Sequence, residues 1–289
     1  MRYEGNIFRP PSEANSLILQ ATVGCSHNRC TFCAMYRNTS FRVRSIEELK
    51  EDIAMARACF GTGVRRVFLA DGDPLIIQTQ RLKQILLCLL QAFPKLQRVG
   101  TYATPQSLLL KSQEELEALR SLKLSILYLG VESGSAEVLK RLNKGVNPEE
   151  MVQAGRRAVE AGMKLSTMII LGAGGIELKD EHARESAAVL NRIAPRFIST
   201  LSMMVVEGTP LHDEMVAGSY VPPDPRQTLE ELRDFLAALE VTSAIFRSNH
   251  VSNFLPLAGT LMKDKQALLN TLEEALAGPI PDDFGPQGY

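Results

Sequence analysis

The chain has 289 residues, 45% apolar and 22% charged, with a formal net charge of −1; that length can bury a large core, either as one α/β barrel or as two smaller domains. Basic residues are not gathered in one block, so the electrostatic footprint of a dedicated nucleic-acid binder is missing. Its longest apolar runs, at 85–90 and 168–176, fall short of the ~20 residues of a membrane-spanning helix, and MRYEGNIFRPP does not read as a signal peptide, so the chain is expected to be cytoplasmic with no membrane partner.

LILQAT at 17–22 predicts a buried strand that leads straight into a cysteine-bearing loop. Ser45 and Glu48 have capping-box spacing, Ile46, Leu49, Ile53 and Ala56 recur at helical intervals, and Gly61 and Gly63 supply the stop, so a helix is expected over about 45–60. The unit then repeats. Strand 65–70 precedes a helix at about 79–92 that ends before Pro94; strand 98–103 precedes a helix at about 112–121. Strand 126–131, helices near 135–142 and 148–161, strand 164–171, a helix near 181–193 and strand 197–206 follow. Strands apolar on both faces and separated by amphipathic helices imply a parallel sheet covered by helices. Six βα steps are fewer than a closed barrel needs, so the expected fold is α/β, a partial (β/α)6 TIM-like barrel with its functional loops at the strand C-termini. Three prolines in SYVPPDPRQT at 219–228 end the alternation. The expected division is therefore a barrel with a short N-terminal lead over 1–218 and a small helical C-terminal extension over 219–289.

Three of the five cysteines, Cys25, Cys30 and Cys33, lie within nine positions in ATVGCSHNRCTFCAMY, separated by four and then two residues. Such an odd, clustered set suits a reducing compartment and a metal site better than a disulfide framework. Three thiolates would leave one iron of a four-iron cubane open to an exogenous ligand. Two other readings stay open on spacing. A structural zinc needs a fourth ligand, and His27 sits awkwardly inside the loop for tetrahedral chelation. A [2Fe–2S] centre needs Cys59 or Cys88, and Cys88 lies in the apolar ILLCLL as a small hydrophobe. The corresponding functions are a zinc-binding module and a non-catalytic iron–sulfur electron-transfer protein.

Over about residues 15–210 the chain resembles the radical S-adenosylmethionine (SAM) superfamily, in the branch of methylthiotransferases, oxygen-independent coproporphyrinogen dehydrogenases and Elongator-like proteins. The cysteine loop departs from that superfamily's usual signature by one extra residue between its first two cysteines. LADGDPL after the second strand is similar to the family's Gly-Gly-Glu motif, YLGVESGSAEVLKRLNKG to its strand-loop-helix segment with a glutamate, and VVEGTPLHDE to its PGTPL segment. The resemblance implies a [4Fe–4S] cluster on Cys25, Cys30 and Cys33, with SAM as the second cofactor. It also implies that Phe32 packs near the adenine, that Gly72 permits close backbone approach, and that Asp73, where Glu is more usual, receives the methionine ammonium group. Glu132, with Ser133 beside it, is implied to contact the ribose or amino group of SAM. The expected chemistry is reductive cleavage of SAM to methionine and a 5′-deoxyadenosyl radical that abstracts hydrogen from an unidentified substrate, with a low-potential ferredoxin or flavodoxin as electron donor.

Several of these residues have an ordinary structural reading beside the functional one. Ser133 and Ser135 suit a helix cap, and Arg141 and Lys144 suit either the cofactor carboxylate, the substrate or plain solvation. LGAGGIE lacks the Lys-Ser/Thr pair of a phosphate loop, and His212 suits the surface as well as a site. In the extension, Ser248, Asn249, His250, Ser252 and Asn253 concentrate polar groups. Of these, His250 and Asn253 are the substrate candidates, and turn-making hydrogen bonds are the alternative.

Overall fold

The segment predicted as one strand over 17–22 divides at Ala21. β1 (Leu17–Gln20) joins the main sheet, whereas β2 (Thr22–Val23) pairs antiparallel with β3 (Arg42–Val43), so the cysteine loop is strung between the strands of a small ribbon. The computed structural model describes residues 1–280. They fold as two units, one made of Met1–Asn28, Met35–Leu129 and Arg157–Leu165, the other of Arg29–Ala34, Gly130–Arg156 and the chain from Ser166 onward.

In the first unit α1 (Ile46–Phe60) starts from the predicted capping box. Ser45 Oγ accepts the Glu48 amide at 3.1 Å and the Glu48 carboxylate accepts the Ser45 amide at 2.6 Å. Then come β4 (Arg66–Ala70), α2 (Thr79–Ala92), β5 (Arg98–Ala103), α3 (Pro105–Leu109), α4 (Gln113–Ser121) and β6 (Leu124–Glu132). The order is β1-β4-β5-β6, all parallel. Val67 through Ala70 are all buried, as a strand covered on both faces requires. Phe68, Tyr102 and Tyr128 meet edge to face. The N-terminal lead is part of this core: Glu13 is fully buried, accepts the Tyr128 hydroxyl at 2.5 Å and pairs with Arg98 at 2.8 Å.

Next along the chain come α5 (Ala136–Arg141), α6 (Pro148–Glu160), β7 (Lys164–Leu171), α7 (Lys179–Ile193), β8 (Phe197–Ser202) and α8 (Pro210–Val216). β8 is shorter than the predicted 197–206: past Ser202 the Met203 amide still donates to the carbonyl of Leu171 at the end of β7, but the Val206 carbonyl turns to the amide and hydroxyl of Thr209. The extension carries the expected helices, α9 (Pro225–Ala238) and, after β9 (Ile245–Ser248) and β10 (Leu257–Thr260), α10 (Leu261–Ala277). β7, β8 and β9 are parallel and β10 is antiparallel to β9, so the extension lengthens the sheet by two strands. The fold is the expected α/β type, with β1, β4, β5 and β6 parallel in one run and β7, β8 and β9 parallel in the other.

Candidate functional site

Cys25 follows β2 after a single residue, Gly24, and the turn after β4 runs behind it. The Gly72 amide donates to the Gly24 carbonyl at 3.1 Å. A Cβ at Gly72 would lie 2.7 Å from the Cys25 Cβ and 3.0 Å from the Tyr36 ring, so this approach admits only glycine. Two buried aspartates flank that glycine. Asp71 accepts the Tyr36 hydroxyl at 2.6 Å, the Gln20 amide at 3.2 Å and the Gly24 amide at 3.3 Å. Asp73 accepts the Ser26 hydroxyl at 2.6 Å, the Thr104 hydroxyl at 2.9 Å and the Thr104 amide at 3.3 Å. Asp71 thus ties down the residue before Cys25 and the aromatic three places after Cys33, while Asp73 ties down the residue after Cys25.

Burial pushes both aspartates above the usual carboxylate range, against the pull of these donors. It pushes the Tyr36 phenol up as well, and the bond to Asp71 adds to that shift. Gly72 and Asp73 are residues singled out by the sequence. Asp71 and Tyr36 are not, although a second aspartate on the other side of the same glycine was a visible signal.

The part of the loop that carries Cys30 and Cys33 is moored within the second unit. The Thr31 amide donates to the Leu142 carbonyl at 3.0 Å, the Thr31 hydroxyl donates to the Arg141 carbonyl at 3.0 Å, and the Asn143 side chain donates to the Arg29 carbonyl at 3.0 Å. From the start of α8 the Leu211 amide donates to the Thr31 carbonyl at 3.1 Å. These carbonyls at the end of α5 have no partner within the helix, and the loop satisfies them. Phe32 packs on the apolar cluster of Val138, Leu142, Ile170 and Ala173.

Glu132 closes β6 with φ of 65°, a left-handed conformation that is uncommon for a residue with a side chain. Its carboxylate is buried against Lys144 Nζ at 2.8 Å. Ser133 and Ser135 build the turn into α5: the Ser135 amide donates to Ser133 Oγ at 3.0 Å, and Ser135 Oγ caps the Val138 amide at 3.2 Å and donates to Glu181 at 2.7 Å. Arg141 donates to the Gly174 carbonyl at 3.0 Å. His182 on α7 and Glu231 on α9, which the sequence did not single out, are fully buried and 2.6 Å apart. Apolar periodicity marks both as lying on helices and says nothing of their meeting.

The polar group in the extension sits at the C-terminal end of β8. Asn253 donates to the Thr200 carbonyl at 2.8 Å and to Ser248 Oγ at 3.0 Å, and accepts the Ser202 hydroxyl at 3.1 Å. Ser252 Oγ accepts the Ser202 amide at 3.2 Å and lies 2.9 Å from His250 Nδ1. Burial holds the His250 pKa down. His212 is partly exposed beside Asp213.

Among the described residues no three Cys, His, Asp or Glu side chains converge as a single metal ion would need. An iron–sulfur cubane takes each thiolate at a separate iron. Cys25, Cys30 and Cys33 are half-buried thiols, the soft donors that such a cluster requires, and Cys25 is backed by a glycine that leaves room for no side chain.

The profile of the Radical SAM superfamily matches residues 19–187. A Methanocaldococcus jannaschii protein named as a methylthiotransferase is 27% identical over 154 residues, 51% of this chain and 33% of that protein. The chain spans about a third of the length of this and a second curated relative that it matches. Among solved structures, coproporphyrinogen III oxidase from Escherichia coli, described as a radical SAM enzyme, superposes with a TM-score of 0.59 at 17% identity, covering 77% of this chain and 51% of that one. Methylornithine synthase superposes with a TM-score of 0.54 at 18% identity, covering 92% and 83%. These two likenesses bear on the fold.

Proposed function

Because the chain belongs to the Radical SAM superfamily, whose members are enzymes that use a [4Fe–4S] cluster and SAM, we propose that Cys25, Cys30 and Cys33 hold the cluster and that the surrounding loops hold SAM against it. When bound, the pair supplies one-electron chemistry, the reductive cleavage of the SAM sulfonium to a 5′-deoxyadenosyl radical that takes hydrogen from a substrate. The observation that carries this assignment is the mooring of the three-cysteine loop by Asp71, Asp73 and the end of α5.

The chain's own residues bind, orient and shield. Gly72 leaves room behind Cys25, and Asp73 is the acceptor proposed for the methionine ammonium group, a role it would add to holding Ser26. Glu132 and Lys144 form a buried pair in which a cationic group of the cofactor can take the place of the lysine. Ser133 shapes the turn beside Glu132, and Phe32 offers an aromatic face to the adenine. The extension over 219–289, beyond a core over 1–218, would meet the substrate through the segment of His250 that Asn253 clips to β8. The reaction needs a reductant, and we propose a low-potential ferredoxin or flavodoxin in the cytoplasm. No helix among the described residues is long and apolar enough to cross a membrane.

Anaerobic reconstitution, followed by reduction in the presence of SAM, tests the reading. About four irons per chain and release of 5′-deoxyadenosine are expected; Cys25→Ala, Cys30→Ala or Cys33→Ala should abolish both, whereas Cys59→Ser and Cys88→Ala should keep them. Stoichiometric zinc without iron would identify a zinc module instead, and a full cluster that never yields 5′-deoxyadenosine would identify an electron carrier.

A further inference from the structure

We propose that the buried His182–Glu231 pair is a positioning element of the cofactor site, holding the Glu132 carbonyl and thereby the backbone that presents the Glu132 carboxylate. The inference rests on the assignment of Glu132 as a SAM contact. It begins from strain. A side-chain-bearing residue at φ of 65° persists where its surroundings over-determine it, and the group that meets the Glu132 backbone here is His182, whose Nε2 lies 3.2 Å from the Glu132 carbonyl oxygen.

The proton inventory of the pair follows from its partners. A carbonyl oxygen only accepts, so Nε2 carries its hydrogen. Nδ1 lies 2.6 Å from Glu231 Oε1, a separation that requires one proton between them. The two carboxylate oxygens of Glu231 also receive the Gly172 amide, at 3.1 and 2.9 Å, so the carboxylate is held in place from the end of β7. His182 therefore faces Glu132 as an obligate donor, with its ring orientation set from behind by Glu231, the arrangement by which an outer carboxylate orients a histidine. The same Glu231 holds Gly172 at the end of β7, and the Tyr220 hydroxyl donates to the Gly172 carbonyl at 2.9 Å. The ends of β6 and β7 are thus tied through one dyad.

The Glu132 carboxylate has little freedom to absorb a shift of its backbone. A Cβ at Gly130 would lie 1.9 Å from Glu132 Oε1 and 3.1 Å from Lys144 Nζ, so the ion pair lies flat against its own strand where a glycine makes room. Releasing the carbonyl would let the backbone leave the left-handed region, and the carboxylate would leave its place against Lys144.

The test is a double-mutant cycle on the cluster-loaded protein, with the dissociation constant for SAM read from the change it causes in the cluster's electron paramagnetic resonance, and iron content and Tm measured alongside. His182→Phe should weaken SAM roughly tenfold, the equivalent of one lost hydrogen bond, with iron retained. His182→Gln, which keeps a donor toward the carbonyl, should recover much of that affinity, and Glu231→Gln, which can still fix the ring, should do the same. In a Glu132→Gln background His182→Phe should add nothing further. In cofactor-free protein, amide resonances of residues 130–133 should move in His182→Phe and stay near their places in His182→Gln. Additive losses in the cycle, or equal affinity for His182→Phe and wild type when Glu132→Gln alone is impaired, would overturn the positioning role and leave the assignment of Glu132 intact. Unchanged affinity in Glu132→Gln would instead remove Glu132 from the cofactor site, and the proposed role of His182 with it.

Discussion

Asp71 and Asp73 in the first unit and Glu132 and Glu231 in the second are all buried carboxylates, yet their surroundings treat them in opposite ways. The aspartates meet neutral donors, a phenol, hydroxyls, a side-chain amide and backbone amides. Glu132 and Glu231 face basic side chains, Lys144 at 2.8 Å and His182 at 2.6 Å. Neutral donors satisfy lone pairs without cancelling charge, so desolvation wins and the aspartate pKa values rise. A cation offsets desolvation by direct attraction and makes the arrangement costly to break from one side. The aspartates therefore suit the task of holding the loop backbone around Cys25, Glu132 suits a site where a charged ligand exchanges partners with Lys144, and Glu231 suits the fixed orientation of His182.

Removing one partner of each kind is the sharpest way to break that contrast. Lys144→Met should cost about 3–5 kcal/mol by leaving Glu132 buried and unpaired, and adding Glu132→Gln should restore most of it; chemical denaturation measures both. A single-variant cost no larger than that of a surface substitution would show that the pair does not offset the burial of Glu132. Asp73→Ala should cost less, about 1–3 kcal/mol, since it strands hydroxyls and not a charge. Asp73→Asn keeps the shape without the charge, and there the proposed ammonium contact predicts SAM binding weakened roughly 10- to 100-fold with iron content intact. Isothermal titration that finds unchanged affinity would leave Asp73 as a support of Ser26 alone.

Smaller effects are expected where no charge is involved or where only pH is varied. Asn253→Ala removes three hydrogen bonds of the clip on β8 and should lower stability by about 1–2 kcal/mol while sparing 5′-deoxyadenosine release without substrate. Loss of that release would place Asn253 in the cofactor machinery. Asp71 supplies the smallest signal. Its folded-state pKa is raised above the ordinary value, so between the two the folded protein holds more protons than the unfolded chain, and stability falls as pH rises through that window. Asp71→Asn lacks this titration. The Tm of wild type relative to the variant should therefore decline as pH is raised from about 4, and a pH-independent difference in scanning calorimetry would remove Asp71 from the contrast.

Much of the fold was legible because its signals are local. The capping box at Ser45 and Glu48 and the six apolar strands depend on residues a few positions apart, and they appear where spacing puts them, except that the first strand ends at Gln20 and the last at Ser202. The strand break at Ala21 was not legible, since it arises from a change of partner: the chain leaves parallel pairing with β4 for a ribbon with β3. Nor was the burial of Glu13, whose partners Arg98 and Tyr128 are contributed by β5 and β6. Ser133 and Ser135 illustrate a middle case, because their capping and turn bonds are local and were foreseen as one of two readings.

The three-cysteine segment, LADGDPL and YLGVESGS carried the resemblance that placed the chain in its superfamily, because each such segment is encoded by neighbouring residues, while cysteine spacing alone left other metal centres open. Which charges face those residues was decided only by the tertiary structure. His182 meets Glu231 across 49 positions and Glu132 across 50, and Asp73 meets Thr104 across 31. A buried polar group is tolerable only beside a partner that replaces its lost water, and that partner is chosen by how the helices and strands pack, at separations over which no periodicity in the chain carries information.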